Sequence, residues 1–184
     1  TNVEPKQPHP TQDTALNLAR AEKSWGTQMY SNGYICRNPN ENNKMHHYDM
    51  NLCYIDELLW HLNWTGDLDY AKKIWPVLAS SLAWEKRNFD PDNDGLYDAY
   101  CSIWASDALY YTSGAVTHSS AYNYRANKMA TEIADKIGVD SKPYKQEADK
   151  ILSALNARLW IPAKGHWAEY QDFLGAKKLH ESAA

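Results

Sequence analysis

A group of aspartates, an aromatic segment and a run of small polar residues follow one another in the middle of the sequence. The aspartates lie in the stretch Asp90-Pro91-Asp92-Asn93-Asp94-Gly95-Leu96-Tyr97-Asp98. Trp104 and Asp107 belong to the aromatic segment, and the polar run begins at Ser119. Carboxylates can transfer protons, and aromatic rings beside polar groups suit the faces and hydroxyls of a sugar. This order of residue types favours a carbohydrate site.

The same aspartates also partly fit a calcium-binding loop. Positions 1, 3, 5, 6 and 9 of that loop pattern are matched by Asp90, Asp92, Asp94, Gly95 and Asp98. Position 12, where a bidentate Glu is expected, is Cys101. A tight turn in which the carboxylates accept hydrogen bonds from backbone amides explains the pattern equally well. Calcium is therefore one of two interpretations, and the sequence indicates no other cofactor.

Asp107 is the candidate for a general acid. It lies between Trp104 and the Tyr110-Tyr111 pair, and partial burial among rings raises the pKa of a carboxyl group towards neutrality. The alternative is a solvated loop aspartate or a helix cap. Asp98 and Glu169 compete with Asp107 for the same role.

The elements that would position these residues are helices. Hydrophobic periodicity and capping residues predict helices that begin near Asp13, Tyr48, Asp67, Thr117 and Ser141, with an extended lead-in over residues 1–12 and the start of an unfinished helix over 179–184. Pro76 is expected either to kink the third helix or to divide it into two short helices. Thr117 is expected to cap the fourth helix and Gly138 to end it. After Trp160-Ile161-Pro162, residues 165–172 are expected to form an irregular aromatic loop.

The lengths of the connections alternate between short and long. In consecutive antiparallel helices, alternate connections lie at the same end, so we predict an all-α fold whose long loops share one face. That face would also carry the N-termini of the helices that begin near Tyr48 and Thr117, where polar ligands are favoured.

Composition excludes several classes of function. The chain has 184 residues and a net charge of -4, which argues against a nucleic-acid binder, and it contains no apolar run long enough to span a membrane. Three cysteines give no disulfide framework or zinc motif. The chain contains 8 tryptophans and 13 tyrosines but only 2 phenylalanines. This preference for aromatic side chains with a polar group suits a solvated binding cleft as well as packing between helices.

Four short motifs together resemble the six-hairpin glycosidases, the (α/α)6 toroid glycoside hydrolases related to trehalase-, glucoamylase- and rhamnosidase-like enzymes. The motifs are Asp49-Met50-Asn51, Asp-Gly-Leu-Tyr over 94–97, Trp104-x-Ser106-Asp107 and Ser119-Ser120-Ala121-Tyr122-Asn123. The resemblance spans roughly residues 30 to 182. It implies a toroid of helical hairpins with Asp107 as the general acid, although some relatives carry a Glu where this chain has Ala108.

The resemblance and the loop argument together give a set of predicted substrate contacts. These are Asp49, Asn51, Trp104, Tyr97, Ser119, Tyr122 and Glu169. For Asp49 and Asn51 a plain helix-capping role stays open, and His46-His47 shows no third ligand for a metal.

The resemblance also sets expectations for the whole protein. A full toroid needs about twice this length, so we expect part of a barrel that is inactive alone and that associates with the remaining hairpins or with itself. The expected substrate is an oligo- or polysaccharide, which favours a periplasmic or secreted location. The alternative function is a non-catalytic carbohydrate-binding or helical interaction module.

Overall fold

The described part of this computed structural model comprises residues 33, 49–98, 114–172 and 174–178, and it is mostly helical. Two helical hairpins form its body. The first pairs α1, Asp49–Thr65, with α2, Leu68–Phe89, and the second pairs α3, Thr117–Ile137, with α4, Lys142–Ala154. A π-helical turn, Leu155–Leu159, extends α4. Within the described residues, no helix combines the length and apolar character needed to cross a membrane.

In each hairpin, the connection between the two helices contains a capping residue that the sequence predicts. Asp67 caps α2 by accepting a hydrogen bond from the backbone amide of Tyr70 at 2.9 Å, as its position predicts. Gly138 ends α3 in the left-handed conformation, with φ 75°, which glycine adopts without the steric cost of a Cβ. The short connections predicted after the second and fourth helices are confirmed.

Two helix predictions are wrong in detail. α2 is continuous through Pro76, so the alternative of two short helices is wrong: buried Trp75 and Leu78 hold the helix on both sides of the proline. Thr117 is not the cap of α3: the helix starts at Thr117 itself after extended Val116, and no side chain caps it. The Thr117 hydroxyl donates instead to the carbonyl of Ala168.

The expected irregular loop after α4 contains short strands, so the fold is not purely helical. The strands are β1 Ala115–Val116, β2 Trp160–Ile161, β3 His166–Trp167, β4 Tyr170–Gln171 and β5 Lys177–Lys178. β2 pairs antiparallel with β3, while β4 lies between β1 and β5 in a second antiparallel sheet. Through β1, this second sheet is attached directly to the start of α3.

Two buried clusters define the direction of the helices. One cluster joins Leu52 near the start of α1, Phe89 at the end of α2, Val116 just before α3 and Ile151 near the end of α4. We call this end of the molecule the loop end, because the long connections of the described hairpins leave from it.

The second cluster lies at the opposite end, which we call the turn end. It joins Leu62 near the end of α1, Ala71 near the start of α2 and Ala134 near the end of α3, with Tyr144 of α4 packed against it. α1 and α3 therefore run in the same direction, and both begin at the loop end. This agrees with the loop-face prediction for these helices, while the predicted loop before α1 lies outside the described residues.

Candidate functional site

The acidic stretch after α2 forms a turn built on Asp90. One carboxylate oxygen of Asp90 accepts the amide of Asp94 at 2.9 Å, and the other accepts the amide of Gly95 at 3.1 Å and pairs with the Lys86 ammonium. Asp90 is only 2% exposed. Burial raises the pKa of Asp90, against the lowering effect of Lys86 and the two amides. These contacts are those of the predicted tight turn.

A calcium ion at this turn would have to bind the same carboxylate oxygens that accept these hydrogen bonds. Single carboxylate oxygens of Asp90, Asp92 and Asp94 lie within 4.8 Å of one another. However, Asp94 accepts the amide of Leu96 at 2.8 Å and forms an ion pair with Arg158. Because Asp90 and Asp94 already serve backbone amides and cations, the turn accounts for the acidic pattern without a bound ion.

Tyr97 anchors the turn to the helices. Its side chain is 0% exposed, and its hydroxyl donates to Glu147 of α4 at 3.2 Å. Lys86 donates to the same carboxylate at 2.9 Å, so α2, the turn and α4 are joined through Glu147. Burial raises the pKa of Tyr97. The structure thus gives Tyr97 a packing position rather than the predicted position on a substrate surface.

Asp98 closes the turn in a different environment. Its backbone amide donates to Phe89 at 2.6 Å, and it forms a β-bridge with Ala115 just before α3. The pKa of Asp98 is raised to about 6, first by burial and then by the negative charges of Asp92, Asp94 and Asp90. The positive charge of Arg158 acts in the opposite direction and lowers it. None of the described residues donates a hydrogen bond to its carboxylate. Such a group can exchange a proton near neutral pH.

The start of α3 is held between this turn and β4. A Cβ on Gly114, which has φ +90°, would lie 2.0 Å from the carbonyl oxygen of Gln171, so only glycine allows β1 and β4 to approach. The amide of Thr117 donates to the carbonyl of Glu169 at 2.9 Å. Residues from the 89–116 connection and from the 159–172 segment therefore meet at the loop end.

The polar run at the start of α3 divides into buried and partly exposed residues. Ser120 accepts the amide of Tyr97 at 2.9 Å and donates to Val116 at 2.8 Å, so it fixes the turn on the helix. Ser119 is also 0% exposed, as part of the buried face of α3. Tyr122 is partly buried and packs edge-on against His118 at 5.1 Å between ring centroids.

The predicted site residues thus fall into four groups. Asp98, Tyr122 and Glu169 lie at the loop end with partly exposed side chains, whereas Tyr97 and Ser119 are buried there. Asp49 and Asn51 lie in the first turn of α1, at the same end, although the description there covers the backbone only. Asp107 and Trp104 lie outside the described residues.

Two residues at this end were missing from the predicted set. Trp167 is 42% exposed and packs edge-on against Trp160, with 5.0 Å between ring centroids, two residues before Glu169. Arg158 donates to Gln171 at 3.0 Å and modulates the pKa of Asp98. The aromatic character of the 160–172 segment was a signal for Trp167, but no local pattern indicates that Arg158 reaches the turn.

The fold is similar to part of a known glycosidase structure. The crystal structure of a rhamnosidase of glycoside hydrolase family 78 from Bacillus sp. GL1 matches with a TM-score of 0.56 and 19% sequence identity. The match covers 71% of this chain and 14% of the rhamnosidase chain. No family model and no curated protein matches this sequence. The comparison therefore shows a shared arrangement of helices with part of a glycosidase.

Proposed function

We propose that this chain is part of a glycoside hydrolase-like (α/α) helical domain that acts on a carbohydrate at the loop end. The observation that supports this best is the meeting of the acidic turn, the start of α3 and the Trp167–Glu169 segment where α1 and α3 both begin. This is where the helix-direction argument and the glycosidase resemblance both expect a substrate. The helical likeness to a rhamnosidase adds rhamnosides as the first substrate class to test.

In this proposal Asp107 is the general acid and Asp98 its competitor. A sugar leaving group needs a proton at the glycosidic oxygen, and a carboxyl group with a raised pKa supplies it. Asp107 is supported by its place in the Trp104-x-Ser106-Asp107 motif, whereas Asp98 is supported by its raised pKa of about 6. A second carboxylate acting as base or nucleophile would complete hydrolysis.

Leaving-group dependence in the complete protein that contains these residues tests the assignment. We expect Asp107→Asn to lower kcat on alkyl rhamnosides by about a hundredfold or more, because these leaving groups must be protonated. The loss should be much smaller with a nitrophenyl rhamnoside, whose leaving group needs little protonation. Asp135→Asn, at an exposed position near the far end of α3, is the control and should leave both rates unchanged.

Other outcomes separate the alternatives. Equal losses on both substrate types would reject Asp107 as the acid. The same leaving-group dependence in Asp98→Asn or Glu169→Gln would move the role to that residue. If no substrate is turned over but Trp104→Ala weakens saccharide binding and Asp107→Ala does not, the chain is a carbohydrate-binding module.

A further inference from the structure

A pair of tryptophans at the turn end of α1 is exposed to an unusual degree. Trp60 is 55% exposed and Trp64 is 82% exposed, although large aromatic side chains bury most of their surface in folded proteins. The two residues are one helical turn apart, and their rings are stacked with 6.1 Å between centroids and 13° between planes. The pair therefore presents an ordered, flat aromatic surface to solvent.

The pair is braced by the neighbouring helix. The Arg125 guanidinium of α3 lies over the Trp60 ring, with its central carbon 5.7 Å from the ring centroid. Arg125 also donates to Asp56, one turn before Trp60, at 2.5 Å. Cation–π contact and ion pairing thus hold the inner indole between two helices, which lowers the entropy cost of binding a ligand on the outer one.

The exposed neighbours of the pair along α1 and α3 include several polar residues, while Leu68, four residues after Trp64, is an exposed apolar one (40% exposed). The core of α1 is made by side chains such as Leu58, Leu59 and Leu62, which are 0–4% exposed. Glu57 and Asn63, three residues before and after Trp60, are exposed, as is Lys128, three residues after Arg125 on α3. A surface that receives another helix would carry a stripe of aliphatic residues at helical spacing. A flat aromatic face with polar side chains at its edge instead matches a pyranose ring and its hydroxyls.

From this arrangement we infer that Trp60 and Trp64 form a second carbohydrate-binding surface, on which a sugar ring of a polysaccharide stacks on the Trp64 indole. The choice of a saccharide as ligand rests on the proposed function. Trp60 and Trp64 lie 11 and 15 residues after the start of α1, which places them about 17 and 23 Å along the helix from the loop end. This surface would hold a polymeric substrate without taking part in its cleavage.

Affinity electrophoresis in native gels that contain a soluble rhamnose-containing polysaccharide tests the inference. The protein is expected to be retarded, and Trp64→Ala is expected to weaken binding by about tenfold or more. Trp64→Phe should retain part of the binding, because it keeps an aromatic face. The control is Leu152→Ala on α4, which removes another exposed apolar side chain (38% exposed) and should not alter retardation. Because Trp64 is mostly solvated, its replacement should leave the midpoint of urea unfolding nearly unchanged.

Equal retardation of the parent and Trp64→Ala, or no retardation of the parent, would overturn the inference. So would a parent dimer in light scattering that Trp64→Ala converts to a monomer without polysaccharide, since the surface would then be a self-association interface. Turnover of nitrophenyl rhamnoside by the complete protein that contains these residues, with and without Trp64→Ala, separates the two proposals. Turnover without retardation leaves the proposed function and removes this inference, whereas retardation through Trp64 without turnover supports the surface and counts against catalysis.

Discussion

Asp90 and Asp98 stand at the two ends of one acidic turn and have opposite surroundings. The Asp90 carboxylate is enclosed by Lys86 and by the amides of Asp94 and Gly95. The Asp98 carboxylate is partly exposed and feels chiefly burial and its acidic neighbours, so its pKa rises to about 6. Residue type alone does not distinguish the two, but their hydrogen-bond donors do.

The comparison shows that aspartates in one acidic stretch can have different roles: one fixes the backbone, and another is available for proton transfer. A carboxylate whose oxygens accept backbone amides fixes a turn, and where it is also buried, as Asp90 is, a substrate does not reach it. A carboxylate that the same turn leaves without such donors stays reactive, because the negative charges around it favour its protonated form. Asp90 thus fixes the turn, and the turn places Asp98 where it is a candidate general acid.

The largest effect on stability is expected from removing the structural carboxylate. Asp90→Ala should lower the free energy of unfolding by about 3 kcal/mol, since the amides of Asp94 and Gly95 lose their acceptor and Lys86 loses one of its two carboxylate partners. Asp149→Ala is the matched control: it breaks another Lys–Asp pair with i, i+4 spacing, but Asp149 is 65% exposed and the loss should stay below about 0.5 kcal/mol. Urea unfolding at pH 7 measures both. Similar losses for the two variants would mean that Asp90 does not hold the turn.

A smaller effect, of opposite sign, is expected at Asp98. Its pKa is about 6 in the folded protein against 3.8 for an unperturbed group, so the folded state binds the proton more tightly than the unfolded state. The stability contributed by the protonated form is complete below about pH 4 and is lost as the pH rises through about 6. Asp98→Asn should therefore raise the free energy of unfolding at pH 7 by about 1 kcal/mol, a value reduced to allow for solvent screening of a half-exposed group.

The measurement is the unfolding free energy of both proteins between pH 4 and pH 7. The difference between Asp98→Asn and the parent should grow across this interval and level off above pH 7. A difference that does not depend on pH would show that Asp98 has an ordinary pKa in the folded protein.

The smallest effects are expected from the charges that surround Asp98. Asp92→Asn removes the first of the carboxylates that raise the pKa of Asp98 and should lower it, whereas Arg158→Gln should raise it. Both shifts should remain below about 1 pKa unit, because solvent and salt screen these charges. Carboxyl NMR titration measures them, with Lys72→Gln at the turn end as the control. Shifts in the same direction for Asp92→Asn and Arg158→Gln would contradict the electrostatic account.

The sequence by itself determined the helical hairpins and their direction. Asp67 and Gly138 mark a helix start and a helix end through local hydrogen bonding and backbone conformation, which neighbouring residues decide. The alternation of short and long connections then required α1 and α3 to begin at the same end, as the two buried clusters show. The helical part of the prediction needed only interactions within about one turn.

Only the tertiary structure decided which polar residues are buried and which are available. Tyr97 belongs to the same acidic stretch as Asp98, and Ser119 to the same motif as Tyr122, yet contacts with α4 and the core bury Tyr97 and Ser119. Likewise, Arg158 acts on the acidic turn from more than fifty residues away. Burial and electrostatic environment depend on distances between segments that lie far apart in the chain, and no local pattern encodes those distances.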